Sequence, residues 1–450
     1  MELQELKDQI TKNLEDGNLH NIKSLLSAYH PSEIAEILDY IDPEIHSNVL
    51  SSLDNETASE VLLELDDQHR HDLLEALDNE KIAHIVEEMD SDDAADVIAD
   101  LAEADVAPVL SKLDPEEVEE VKSLLQYPED TAGGIMQTEL AEVTEDSTVR
   151  DAINWIRLIA DELDDLQDIY VIDTAEKLLG TVSPKKLLLS NPGVKLKNIM
   201  TEPEVSVTPL IDQEEVAKIF EKYDIFALPV IDESGKLIGR ITADDVIDVI
   251  TEEASEDMYH LAGVQDQMHP IYTPTLTRIK LRTPWLLLTL VGELFIALII
   301  VNVFQPTLQK VAILAAFMPA IMATGGNVGI QTTTIVIRSM GMGTITFSQI
   351  YKLVISEVKV GLSIGIICGL VAAIAGAIIS KNEPQFVKLA FAVFIAMVSA
   401  TLATSFVGAA SPLLLQKFKF DPAAASGPLL TMFNDIFGSL VYLFIAMLIF

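Results

Sequence analysis

Asp435 stands in the middle of an otherwise apolar run, Ala423 to Phe450, the last of five such runs after residue 280. A carboxylate at bilayer depth costs roughly 2.5 to 3.5 kcal/mol on insertion scales, so it usually faces a pore or a bound cation rather than lipid. The alternative is a carboxylate paired with a neighbouring cation, but the basic residues of the hydrophobic half (Arg282, Arg338, Lys352, Lys417, Lys419) sit near segment ends. Thr431 lies one helical turn before Asp435 on the same face, Pro422 and Pro428 are expected to break or kink the helix near its cytoplasmic end, and Gly427 removes a side chain there. Mg2+ binds hard oxygen and keeps several waters, so one carboxylate per subunit with nearby backbone carbonyls suits a weak site. A dimer would bring two Asp435 side chains to one axis, matching the charge of a divalent ion.

The second apolar run carries PAIMATGGNVGIQTTTIVIR, Pro319 to Arg338. Pro319, Gly325, Gly326 and Gly329 are expected to loosen the helix and let backbones approach closely. Asn327, Gln331 and Thr332 to Thr334 supply oxygens and amides at membrane depth. The segment reads as a lined pore, with Gly325, Gly326, Asn327 and Gln331 lining it, or as a tight helix crossing.

In the soluble half, Asp92 and Asp96 in MDSDDAADVIADL are i,i+4 on one helix, with Asp93 beside them, a separation that lets two carboxylates hold one cation. Asp245 and Asp248 in TADDVIDVI, then Glu252, Glu253, Glu256 and Asp257, make a second acidic run. Like charges so dense are destabilising unless neutralised, so a divalent ion would favour a compact state over an open one. Ordinary solvated carboxylates are the competing reading. His69 and His71 fall on different faces of a helix and read as a solvated pair. No phosphate loop, serine elbow or paired-carboxylate pattern is present, so an enzyme is disfavoured.

Charge divides the chain. Residues 1–130 carry a net charge of -29, residues 131–270 carry -18 and residues 271–450 carry +6, within a total of -41. Such an acidic soluble half argues against nucleic acid or an anionic membrane surface as partner and makes a cation the economical one. The single cysteine, Cys368, excludes a disulfide framework or a thiolate zinc site. The start, MELQELKDQI, has neither a basic region nor an apolar core, so the soluble half is expected to stay cytoplasmic.

The elements that must position these residues follow from two repeats. An apolar residue returns every twelve positions at Tyr29, Ile41, Leu53, Leu65, Leu77, Met89, Leu101, Leu113 and Leu125. Asp follows it at 42, 54, 66, 78, 90 and 114, the N-cap signal of one short helix per unit. Stacked helices of this kind predict an all-α superhelical domain over 1–130. Next, IMQT at 135–138 matches IMTE at 199–202, IYVID ending at Asp173 matches LPVID ending at Asp232, and LLGTVSPKKLL matches LIGRITADDVI. Helix, strand, turn, strand and helix in register resemble a tandem pair of cystathionine-β-synthase (CBS) domains, here 131–199 and 200–250, modules that bind adenine nucleotides or metal. That resemblance implies a nucleotide site at Thr242 and Asp245 of GRITADD; the first copy, with Ser183 and Lys186, departs from the pattern, and Asp245 is assigned to metal first. Residues 251–280 read as a connecting helix ending near Pro270 and Pro274.

Apolar runs at about 284–304, 311–337, 353–379, 386–414 and 423–450 are each long enough to span the roughly 30 Å of a bilayer, giving a five-helix transmembrane domain over 281–450. Lys and Arg concentrate in alternate loops, which puts the N-terminal domains in the cytoplasm and the C-terminus outside. YPEDTAGGIM, RTPWLL, PAIMATGGNVGIQ and DPAAASGPLLTMFND together resemble the MgtE family of magnesium channels, over nearly the whole chain. The resemblance implies a homodimeric, plasma-membrane Mg2+ channel, with Mn2+ and Co2+ as other candidate ions. It implies a pore formed by the second and fifth spans with Asp435 as its aspartate, closure by internal Mg2+ held between the acidic helix of Asp92, Asp93 and Asp96 and the run from Asp245 to Asp257, and ATP at the CBS pair in several members. Two other classes compete: a cation-coupled secondary transporter, which would show matched halves that five spans cannot form, and a tethered sensor, which would need neither Asp435 nor a polar second span.

Overall fold

The computed structural model describes residues 6, 9–13, 18–160, 166–264, 273–341, 349–381, 384–418, 422 and 426–450. Pro270 and Asp421 lie outside the described residues. The chain forms two compact units, residues 1–250 and 251–450.

The first unit opens with short helices: α1 (Leu19–Leu26), α2 (Pro31–Tyr40), α3 (His46–Ser52), α4 (Asn55–Leu63), α5 (Asp67–Ala76), α6 (Asn79–Val86), α7 (Ser91–Asp100), α8 (Glu103–Leu110) and α9 (Pro115–Leu124). The recurring aspartates start many of them. Asp54 accepts the Thr57 N–H at 3.0 Å, Asp66 that of His69 at 3.1 Å, and Asp78 those of Glu80 and Lys81 at 3.0 and 2.8 Å. Each satisfies an amide that the first turn leaves without a helical partner. Asp42 instead precedes a 3-10 turn, Pro43–Ile45, and Asp90 and Asp114 stand at N-caps whose side chains do not cap the first turn. The helices pack on second neighbours, α2 on α4, α4 on α6, α6 on α8 and α7 on α9, which winds them into a superhelix. Of the twelve-residue series, Ile41, Leu53, Leu65, Leu101 and Leu113 are buried, whereas Leu125, at the end of the stack, is 40 % exposed.

Two α/β repeats follow. In the first, β1 (Glu142–Thr144) runs parallel to β2 (Ile169–Ile172), which pairs antiparallel with β3 (Leu178–Val182), flanked by α10 (Val149–Leu158) and α11 (Pro184–Leu189). In the second, α12 (Gln213–Tyr223) precedes the hairpin of β4 (Ala227–Ile231) and β5 (Leu237–Thr242), and α13 (Ala243–Leu261) follows. The hairpin turns correspond. Asp173 accepts the amides of Ala175 and Lys177, and Asp232 those of Ser234 and Lys236. The repeats also exchange their leading segments: Gln137 pairs with Arg240 of β5, and Thr201 pairs with Thr181 of β3. The superhelix and the second repeat share one apolar core, with Val97 and Ile98 in the same cluster as Leu228 and Ile241.

α13 continues without a break from the second repeat into residues 251–261, so the connecting helix grows from the last CBS helix. Pro274 caps the next helix, Thr275–Ile299. Among the described residues five helices are long and apolar enough to cross a membrane: Thr275–Lys310, Ala312–Met340, Ile350–Ile379, Phe386–Lys417 and Gly427–Ile449. The expected loosening and kinking by proline are corrected. Pro319 and Pro428 lie in the first turns of helices Met318–Gly341 and Ser426–Ile449, where the amide that proline lacks has no helical partner, so both helices run unbroken. Glycine in the third span serves close packing, since side chains at Gly361 and Gly365 would collide with Ser405 and Thr401 of the fourth.

Candidate functional site

The fifth span brings Asp435 to mid-helix, half-buried, beside a fully buried Asn434. The Asn434 Nδ2 donates to the Met322 carbonyl of the second span at 2.6 Å and to Asp435 Oδ1 at 3.1 Å. Glycine makes this approach possible: a Cβ on Gly325 would fall on Asn434 Oδ1, and one on Gly326 would stand 3.2 Å from Nδ2. The second and fifth spans are therefore locked together where the carboxylate sits. Asn327 and Gln331, one turn apart, lie on the exposed face of the second span, whereas Gly325 and Gly326 are buried against Asn434. Thr431 is exposed and its hydroxyl donates back to the Gly427 carbonyl at 3.0 Å. Thr332 and Thr333 are spent on packing, donating to Glu357 at 3.3 Å and to the Gly408 carbonyl at 2.9 Å. Near the start of the fifth span, the Leu261 carbonyl of α13 lies against Gly427, and Gly263 lies against Pro428.

Asn434, Glu293 and Glu357 are polar residues of this unit that sequence reasoning passed over. Glu357 is buried in the third span, and Glu293, in the first, is hydrogen-bonded to Asp435. The signal that singled out Asp435, an acid inside an apolar run, marks Glu293 equally well, whereas Glu357 lies near the start of its run between Lys352 and Lys359.

In the soluble unit the acidic residues of α7 meet the start of α13. Asp92 is buried, Asp93 half-buried and Asp96 exposed. Burial raises the proton affinity of the Asp92 carboxyl well above the ordinary range, and the charges of Asp245 and Asp93 add to it. Burial, then Asp245, Asp96 and Asp90, push Asp93 up to about 7. Asp245 is raised by burial against the opposing effect of its bond from Thr242, and Asp248, exposed, is raised by burial and then by Asp244. Glu252 is exposed, while Glu253, Glu256 and Asp257 are half-buried farther along α13. Among the described residues no three acidic, histidine or cysteine side chains converge on one point as a metal centre. Ser91, at the head of α7, fixes the approach: its N–H and hydroxyl donate to the Glu139 carboxylate at 3.1 and 2.9 Å, and the Thr138 N–H donates to its Oγ at 2.9 Å.

Thr242 and Asp245 are engaged with each other. The Thr242 hydroxyl donates to Asp245 Oδ2 at 2.5 Å and its N–H to the same oxygen at 3.2 Å, closing the N-terminus of α13. Ser183 also caps a helix, but as an acceptor, its Oγ taking the Lys186 N–H at the start of α11, so the repeated Gly-x-x-Thr/Ser pattern is first of all a helix start.

The chain matches three family descriptions: "Divalent cation transporter" over 318–445, "MgtE intracellular N domain" over 29–130 and "CBS domain" over 196–252. It is 34% identical over 329 residues to the magnesium transporter MgtE of Bacillus subtilis (72% of this chain, 71% of the relative) and 35% identical over 327 residues to that of Enterococcus faecalis (73% and 71%). The Thermus thermophilus transporter is 32% identical over 332 residues (73% and 72%). Among solved structures, the soluble part of a magnesium transporter matches at TM-score 0.51 and 30% identity, covering 56% of this chain and 100% of that one. The cytosolic domain of the Mg2+ channel MgtE in complex with ATP matches at TM-score 0.51 and 33% identity, covering 53% and 98%.

Proposed function

Because the chain belongs to the MgtE family of divalent cation transporters, we propose that it is a Mg2+-selective channel of the plasma membrane, closed by intracellular Mg2+ held on its acidic cytosolic half. The observation that carries the reading is Asp435, a carboxylate at mid-span, buttressed by Asn434 against the glycines of the second span. A divalent cation is the partner that makes such placement favourable, and Mg2+, which gives up its waters reluctantly, is served by one or two carboxylates and carbonyl oxygens. Two protomers around one axis would present the exposed Asn327 and Gln331 faces to a shared path. Basic loops face the cytoplasm with the N-terminal half, and five spans leave the C-terminus outside.

Closure follows from charge. Asp92, Asp93 and Asp245 are carboxylates held close in a partly dry setting, and a divalent ion binding there would offset their repulsion and favour the compact arrangement of α7 on α13. The contact of α13 with the start of the fifth span gives that state a route to the pore. ATP is the further ligand of this surface. Asp245 would hold it by the carboxylate oxygen not spent on Thr242, which sets nucleotide and metal in competition for one residue.

Uptake decides the pore assignment. Asp435→Asn, expressed as a folded membrane protein in a strain that depends on it for Mg2+, is expected to abolish growth at low Mg2+; normal growth would remove Asp435 from the path. A cation-coupled carrier would instead give Asp435-dependent uptake without unitary currents.

A further inference from the structure

Glu293 reaches Asp435 because of its neighbour. Gly292 is buried against the fifth span, and a Cβ there would overlap the Met432 thioether and lie 3.7 Å from Ile436, so only glycine lets the first span come this close. Met432 stands one turn before Asp435, and the close approach leaves the Glu293 and Asp435 carboxyls hydrogen-bonded to each other. Among the described residues no lysine, arginine or histidine pairs with either one. On the other flank Asn434 donates to Asp435, and its Oδ1 is fully buried and without a hydrogen-bond partner. Two carboxyls in contact repel unless a proton or a cation lies between them.

We propose that Glu293 is a second carboxylate of the ion path, forming with Asp435 in each protomer a site for a hydrated divalent cation. The inference rests on the assignment of Asp435 to the pore. Two carboxylates balance a divalent ion within one protomer but leave a monovalent ion under-compensated, so Glu293 sets the preference for divalent ions. The glutamate has the reach to accept hydrogen bonds from the ion's water shell while Asp435 stays fixed by Asn434.

The test uses the full-length protein in proteoliposomes, with Mg2+ uptake measured against external Mg2+ and against competing Na+, for wild type, Glu293→Gln, Glu293→Asp and Asp435→Asn. Glu293→Gln is expected to raise half-saturating Mg2+ about tenfold with maximal flux largely kept, and to weaken discrimination against Na+. Glu293→Asp is expected to restore discrimination. Wild-type half-saturation and discrimination in Glu293→Gln, alongside loss of flux in Asp435→Asn, overturns this inference and leaves the pore reading standing. Wild-type transport by Asp435→Asn overturns both. A uniform loss of maximal flux in Glu293→Gln that Glu293→Asp does not relieve assigns Glu293 to packing and overturns its role as an ion ligand. If Glu293→Gln does not elute as folded protein, Glu293→Asp alone decides: a shifted half-saturation with discrimination kept supports the site, and both values unchanged overturn it.

Discussion

Two aspartates of the soluble half respond to pH in opposite senses. Asp54 is held below the usual carboxylate range by the Thr57 hydroxyl, by Lys23 and by the Thr57 N–H, so the stability it contributes is present above the unfolded pKa and is lost as pH falls through the folded value. Asp54→Ala should cost about 1 kcal/mol, measurable by denaturant unfolding of a soluble fragment ending near residue 265. Asp93 is raised by burial and by Asp245 to about 7, so the folded state binds a proton that the unfolded chain has released. Its contribution is complete below the usual carboxylate pKa and declines as pH rises toward about 7, by no more than about 1.4 kcal/mol per pH unit. Unfolding of the fragment at pH 5 and pH 7.5 should therefore show a loss at the higher pH that Asp93→Asn removes and that Mg2+ offsets. An equal pH dependence in wild type and Asp93→Asn would exclude Asp93 as its source. In the membrane, Gly325→Ala places a methyl on the Asn434 amide oxygen, so the amide must turn away from its bonds to Met322 and Asp435, and Mg2+ uptake should fall about tenfold, as a tracer flux would register.

At the level of elements, the sequence was legible wherever the signal is local. The aspartate series fixes where α4, α5 and α6 begin, because an N-cap bond spans only three residues. The alternation of helix and apolar strand gives α12, β4, β5 and α13 in order, and apolar length gives the five spans. What was not legible depends on contacts between distant segments. Nothing near Gln137 says that it pairs with Arg240 of the other repeat. Helical spacing puts Asp92 and Asp96 on one face, yet packing against the second repeat buries Asp92 and leaves Asp96 exposed, with Asp93 drawn toward Asp245. Nothing around Asn434 in the sequence says that the second span meets it at Met322. At this scale the Ser91–Glu139 clasp orients α7, and Glu139→Ala should weaken Mg2+ binding to the fragment severalfold by calorimetry while leaving its fold intact.

The whole molecule joins an acidic soluble half to a slightly basic membrane half, and on the proposed reading internal Mg2+ closes the pore only by binding the closed arrangement more tightly than the open one. The soluble fragment should accordingly become more compact in millimolar Mg2+ at matched monovalent ionic strength, a change that small-angle scattering resolves. The central claim, that carboxylates on α7 and α13 sense Mg2+ and close a pore lined by Asp435, is tested most directly in inside-out patches titrated with Mg2+ on the cytoplasmic face. Wild-type open probability should fall as Mg2+ rises, and the triple variant Asp92→Asn, Asp93→Asn, Asp245→Asn should conduct with the same unitary current but close only at Mg2+ concentrations about tenfold higher or more. A wild-type channel indifferent to internal Mg2+, or a triple variant that closes at the wild-type concentration, would contradict it.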